Sequence, residues 1–117
     1  MLEENAKFCA EVVAPLNWTG DCEPSSWHDG KVKTSPGFKE AFKTYVEGGW
    51  PALSCDPAYG GQGLPIVVNQ CFYEMLNSAN QAWTMYPGLT HGAYECLHAH
   101  GTDAQKSMYL PKLTSGE

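Results

Sequence analysis

An all-α fold, a bundle of about five helices, is what this sequence predicts, and three observations carry the prediction. Apolar residues recur three and four positions apart in five separate stretches, the period of an amphipathic helix. Helix punctuation brackets those stretches: Ser35-Pro36 and Gly48-Gly49 around one, Thr102 and Gln105 at the head of another. Strand-like signal is confined to a short piece around Asp29-Gly30.

Leu2, Ala6, Cys9, Val13 and Leu16 form one apolar stripe, with Glu3 and Glu4 at the positive end of the helix dipole. Pro15 predicts that this helix stops or bends there. Residues 17–34 read as irregular, punctuated by Gly20, Asp21 and Pro24, with a tight turn at Asp29-Gly30 between two short extended pieces. The second helix has Ser35 as N-cap and Pro36 as its first residue. Phe38, Ala41, Phe42, Tyr45 and Val46 make its buried face, and Gly48-Gly49 ends it.

Residues 64–83 carry a wide apolar surface (Leu64, Val67, Val68, Cys71, Phe72, Met75, Leu76, Ala79), which predicts a central helix. Pro87-Gly88 is expected to break it. A fourth helix then resumes with Leu89, Ala93, Cys96 and Leu97, and Gly101 fits a left-handed C-terminal cap. Thr102 and Gln105 form a capping box for the last helix, which Pro111 is expected to cut short.

Composition narrows the function classes. A chain of 117 residues supports one core, and 43% apolar with 12% aromatic residues is a globular composition. Seven basic against thirteen acidic residues leave a net charge of −6, the wrong sign for a phosphate backbone, so no nucleic-acid partner is expected. The apolar runs are too short to span a bilayer, and "MLEENAKF" lacks the pattern of a signal peptide; a cytoplasmic protein is expected. Five dispersed cysteines without a C-x-x-C predict thiols acting as small core hydrophobes, with no disulfide and no metal site.

The glycine-rich stretch "GGWPALSCDPAYGGQGLP" at 48–65 invites comparison with phosphate loops and fails both tests. It has neither G-x-G-x-x-G spacing after a strand nor the terminal G-K-[ST] of a Walker loop. A stiff joint is the better reading, in which glycines allow positive φ and prolines restrict the rest. His91, His98 and His100 lack the i, i+3 or i, i+4 convergence of metal ligands, so capping or surface roles are expected, and His28 reads as a loop residue. Glu74 lies on the apolar helix, where a buried carboxylate can act as a base, but an exposed position on the polar side is favoured. Trp83, Tyr86, Tyr94 and Met85 offer material for a small apolar pocket near Pro87-Gly88, although such residues are more often plain core.

Three pieces of the chain together resemble one family. They are the joint at 48–65, the helix "EMLNSANQAW" at 74–83, and "GLTHGAYECLHAHGTDAQKSMYLPKLTSGE" at 88–117, with its L-T, H-G, G-T, Q-K, Y-L-P-x-L and S-G-E. This set of spaced motifs is similar to the acyl-CoA dehydrogenases. "SPGFKEAFKTYVEGGW" and "MYPGLTHGAYE" look closest to the larger bacterial members, which include enzymes acting on 3-(methylthio)propanoyl-CoA as well as on fatty acyl-CoA.

The resemblance implies a flavoenzyme that removes two hydrogens from Cα and Cβ of an acyl-CoA thioester. A glutamate base takes the α-proton, FAD accepts a hydride from Cβ, and the electrons pass to an electron-transfer protein; a homo-oligomer is expected. It implies that residues 1–117 are the N-terminal helical domain, without the β-domain and the C-terminal bundle. The flavin-contacting segment and the catalytic glutamate would then lie beyond Glu117, Glu74 would not be the base, and the chain alone would be inactive and free of flavin. By position, the resemblance places Asn80, Trp83, Thr84 and Tyr86 at the far part of the acyl pocket, where the large Trp83 favours a short or compact acyl chain. The competing expectation is a stand-alone helical interaction module that kept the scaffold without the chemistry.

Overall fold

The computed structural model describes residues 1–117 and is a helical bundle with one small hairpin. The first helix, α1 (Leu2–Phe8), passes directly into a π-helical turn (Cys9–Val13), and a second helix, α2 (Leu16–Cys22), follows. The interruption expected at Pro15 is therefore present. Its form is a widened turn in which Ala14 N–H donates to the Cys9 carbonyl at 2.8 Å, and Pro15, which has no N–H to continue the ladder, begins the next helix.

The irregular reading of residues 17–34 fails over its first part. Gly20 sits inside α2, and a Cβ there would lie 2.8 Å from the Phe38 ring. It is glycine for close packing, so it does not break the helix. The remainder is as expected: β1 (Ser26–His28) pairs antiparallel with β2 (Lys31–Lys33), opposing Trp27 to Val32. Asp29 and Gly30 both have positive φ, 47° and 76°, the signature of the hairpin turn whose twist matches its strands. His28 ends β1 and does not lie in the loop.

Helix α3 (Phe38–Glu47) starts two residues later than Ser35-Pro36 suggested. Those residues and Gly37 form a turn closed by Phe38 N–H to the Ser35 carbonyl, at 3.2 Å. Gly37, at φ 81°, takes the cap position. A Cβ there would sit 2.6 Å from Leu16 Cδ2, so the packing of α2 decides the boundary. At the other end, Gly48-Gly49 stops the helix as expected, with Gly49 N–H on the Val46 carbonyl at 2.9 Å.

The largest correction concerns the central helix. No break occurs at Pro87-Gly88: one helix, α4, runs over Ile66–His100. The discontinuity lies at Asn80, whose φ of −164° and ψ of 95° are extended. Pro87 costs one ladder bond, but its own carbonyl accepts from the Tyr73 hydroxyl at 3.1 Å, which braces the helix across that point. Gly101 is not left-handed either. Its φ of −69° and ψ of 152° are open to any residue, and what demands glycine is the Leu97 carbonyl, 2.6 Å from where a Cβ would stand.

The capping box of α5 (Asp103–Ser115) is complete: Gln105 N–H donates to Thr102 Oγ1, and Thr102 N–H to Gln105 Oε1. Pro111 does not shorten α5, which continues to Ser115 and ends at Gly116 with φ 81°.

Ten side chains form the main core: Phe8, Cys9, Val13, Phe38, Ala41, Tyr45, Leu53, Phe72, Leu76 and Trp83. Its centre is aromatic. Tyr45 stacks on Phe72 at 6.0 Å and meets Trp83 edge-on at 5.7 Å, and Phe8 lies 6.0 Å from Trp83; such tilted and offset pairs suit the ring quadrupoles. A second cluster of Cys55, Tyr94 and Leu110 joins the glycine joint to the far half of α4 and to α5. No helix is long and apolar enough to cross a membrane.

Candidate functional site

The four candidate residues sit at the discontinuity of α4 and on the two turns that follow it. Asn80 acts there as an internal cap. Its Oδ1 accepts from Trp83 N–H at 3.0 Å, the bond an N-cap side chain makes with the third helical residue. Its Nδ2 reaches the Val13 carbonyl at 3.5 Å, and its own carbonyl accepts from Thr84 Oγ1 at 2.8 Å.

Trp83 is 0% exposed, and its indole Nε1–H donates to the Phe38 carbonyl at 3.1 Å. Asn80, Trp83 and Thr84 thus form one bonded, buried unit. Tyr86 stands apart at 41% exposure, its ring edge-on to Phe38 at 6.0 Å and its hydroxyl 3.4 Å from Ser25 Oγ.

Two open clefts flank these turns. Thr84 lines one of about 130 Å³ with Tyr73, Asn77, Met85, Gly88 and Leu89. Tyr86 lines another, of about 290 Å³, with Thr34, Phe38, Lys39, Phe42 and Thr90. The four candidates therefore do not converge on one cavity: Asn80 and Trp83 line neither cleft, Thr84 lines one of them from a buried position, and Tyr86 faces solvent beside the other. Nor do Trp83, Tyr86, Tyr94 and Met85 share a pocket. Trp83 belongs to the main core and Tyr94 to the second cluster, whereas Met85 and Tyr86 are exposed.

The buried phenols beside the turn serve as hydrogen-bond donors. Burial pushes the Tyr73 phenol up to about 12 and raises that of Tyr45 further. Both remain protonated, able to donate hydrogen bonds but not to abstract protons. Glu74 is exposed. Burial raises the Cys55 thiol, whose Sγ–H donates to the Pro51 carbonyl at 3.4 Å. The turn can present an apolar surface with a few hydroxyl and amide donors, which suits binding.

The histidines have roles that spacing did not reveal. His98 Nε2 lies 3.2 Å from Asp56 Oδ2, and its ring stacks on Tyr94 at 5.6 Å. The Tyr94 hydroxyl in turn accepts from Asp56 N–H at 2.8 Å. His91 is bonded to Asn69 at 3.2 Å and lies 3.7 Å from Glu95. Only the Asp56-Pro57 pair, a turn signal, marked any of these contacts in the sequence; their partners lie 38 and 42 positions away.

The glycine joint consumes its own donors. Gly61, Gln62, Gly63 and Leu64 N–H groups donate to the carbonyls of Asp56, Ala52, Cys55 and Leu53 at 2.8–3.0 Å. A Cβ on Gly61 would overlap the Cys55 carbonyl. The cleft beside the joint carries Asp56 and Glu95. Spent amides and adjacent carboxylates are the opposite of a phosphate cradle.

Residues 1–117 match the family model described as the acyl-CoA dehydrogenase N-terminal domain. Over 98% of its length the chain is 43% identical to a 3-methylmercaptopropionyl-CoA dehydrogenase of Ruegeria pomeroyi, covering 20% of that protein. It is 30% identical over 99% of its length to a butyryl-CoA dehydrogenase of Syntrophomonas wolfei, covering 19% of it. An isovaleryl-CoA dehydrogenase of Oryza sativa is 29% identical over 95% of the chain, which covers 25% of it. The chain thus spans about a fifth to a quarter of the length of these relatives.

Proposed function

Because the chain belongs to the acyl-CoA dehydrogenase family, we propose that it serves as the N-terminal helical domain of a flavin-dependent enzyme that dehydrogenates acyl-CoA thioesters between Cα and Cβ. The single observation that carries this reading is the match of the family model over residues 1–117, supported by 43% identity to a named dehydrogenase. The domain's part in it is to build one wall of the acyl pocket from the segment Asn80–Tyr86 of α4. Tyr86 meets the acyl chain in the cleft it lines, while Asn80, Trp83 and the buried Thr84 back it from the core. With the bulk of Trp83 filling the space behind the wall, a short or compact acyl chain is the preferred substrate.

The glycine joint does not suit a flavin pyrophosphate: its amides at 61–64 are spent on its own carbonyls, and its neighbouring cleft carries Asp56 and Glu95. We therefore assign flavin binding and the α-proton base to other segments of the complete polypeptide. The electron-transfer protein and a second subunit are its partners in the same proposal.

Purifying the complete polypeptide that carries this domain tests the reading. Flavin absorbance that is bleached by acyl-CoA, with 3-(methylthio)propanoyl-CoA and a series of straight-chain thioesters as substrates, is the expected result. A colourless protein that turns over none of them overturns it. Thr84→Leu and Tyr86→Leu variants then test the wall, since a contact residue shifts preference along the chain-length series and a bystander does not.

A further inference from the structure

We propose that Asn80 is a positioning residue whose side-chain amide sets the heading of the second half of α4, and through it the acyl-chain selectivity of the site. The inference rests on the acyl-pocket reading above, and its structural half stands on geometry alone. Asn80 is the one residue of the 35 in α4 with non-helical dihedrals. Its amide bonds in two directions. Oδ1 caps the downstream half through Trp83 N–H, and Nδ2 reaches back to Val13 at the end of the π-helical turn, 67 positions earlier in the chain.

The same turn is tethered twice more, by Thr84 Oγ1 on the Asn80 carbonyl and by the Trp83 indole on the Phe38 carbonyl. Upstream, Phe72 and Leu76 anchor α4 in the main core, and downstream Tyr94 anchors it in the second cluster. Residue 80 is therefore where the two anchored halves change direction relative to each other.

Chemistry explains why asparagine serves here. It is among the strongest N-caps and a mediocre helix former, so it favours a restart over a continuous helix. Asn80→Ala removes both the Oδ1 cap on Trp83 N–H and the tie to Val13, so the restart is no longer held and its first turn frays. Thr84 and Tyr86 would then swing relative to Tyr73 and Phe38, which stay with the rest of the core. Asn80→Ser keeps a short side-chain acceptor for Trp83 N–H and preserves the restart.

The test uses the complete polypeptide with Asn80→Ala and Asn80→Ser, read by acyl-chain-length profile and by amide hydrogen exchange over residues 80–87. The alanine variant is expected to change the ratio of kcat/KM between short and long acyl-CoA on the order of tenfold and to lose exchange protection at Trp83. The serine variant should restore both. An alanine variant that is less stable but keeps its kcat/KM ratio shows Asn80 to be a plain structural residue and overturns the proposal. So does unchanged protection at Trp83. If the unsubstituted polypeptide turns over no acyl-CoA, the function reading fails, and exchange at Trp83 still decides whether Asn80 is the cap.

Discussion

Asp56 and His98 meet with Oδ2 and Nε2 3.2 Å apart, which fastens the glycine joint to the last turns of α4. The carboxylate also caps its own turn by accepting from Ala58 N–H at 2.8 Å. That backbone bond, and after it the bond to His98, hold the Asp56 carboxyl below its ordinary range. A carboxyl with a depressed folded-state pKa contributes stability that is fully present above its unfolded pKa of about 4 and is lost as pH falls through the folded value. Asp56→Asn removes this titration. The variant is expected to melt below the parent at pH 7, with the gap in Tm closing as pH falls through the lowered folded-state pKa. A gap of constant size across that range would show that Asp56 titrates alike in the folded and unfolded chain.

How much of this was legible in the sequence depends on the range of the interaction that decided each feature. The hairpin at Asp29-Gly30, the end of α3 at Gly48-Gly49 and the Thr102–Gln105 box are settled within four residues, and all three were read correctly. The start of α3 and the role of Gly20 are settled by Leu16 and Phe38 packing across helices, which no local pattern carries. The break in α4 shows the same limit. Pro87 is the stronger local signal, yet Tyr73 braces it and Asn80 takes the discontinuity. Among the candidate site residues, the family resemblance singled out Asn80, Trp83, Thr84 and Tyr86, which lie on two successive turns. It could not tell which face inward, because that depends on Phe8, Phe38 and Tyr45 closing over the indole.

Trp83 offers a direct measure of that closure. Trp83→Phe keeps most of the ring volume but leaves the Phe38 carbonyl without its indole donor, at an expected cost of about 1–3 kcal/mol. Trp83→Ala adds a cavity amid Phe8 and Tyr45, and about 3–5 kcal/mol is expected. Denaturant unfolding of the two variants separates the hydrogen bond from the packing. Equal losses would mean that the indole bond carries the site and the ring volume little.

Asn5 makes the opposite case. It is fully buried on α1, and neither atom of its side-chain amide has a hydrogen-bond partner. A buried amide without partners costs more than an apolar group of like size. Asn5→Leu is therefore expected to raise stability by about 1 kcal/mol, visible as a higher denaturant midpoint at unchanged m-value. A loss of stability would reveal that the amide is satisfied in solution.

The glycine joint and α4 supply a matched pair of substitutions with opposite signs. A methyl on Gly61 would overlap the Cys55 carbonyl, a backbone atom that cannot step aside while Gly63 N–H is bonded to it at 3.0 Å. Gly61→Ala must therefore open the joint, at a cost of about 3 kcal/mol or more, and should loosen Cys55 and Tyr94 behind it. Gly92 lies in α4 with nothing within 4 Å of its added Cβ. There the same change only restricts the unfolded chain and improves helix propensity, so Gly92→Ala is expected to gain up to about 1 kcal/mol. Thermal melts of the pair should move Tm in opposite directions. Similar losses at both sites would mean that glycine serves α4 in a way its open surroundings do not reveal, and a mild Gly61→Ala would mean that the joint is pliant.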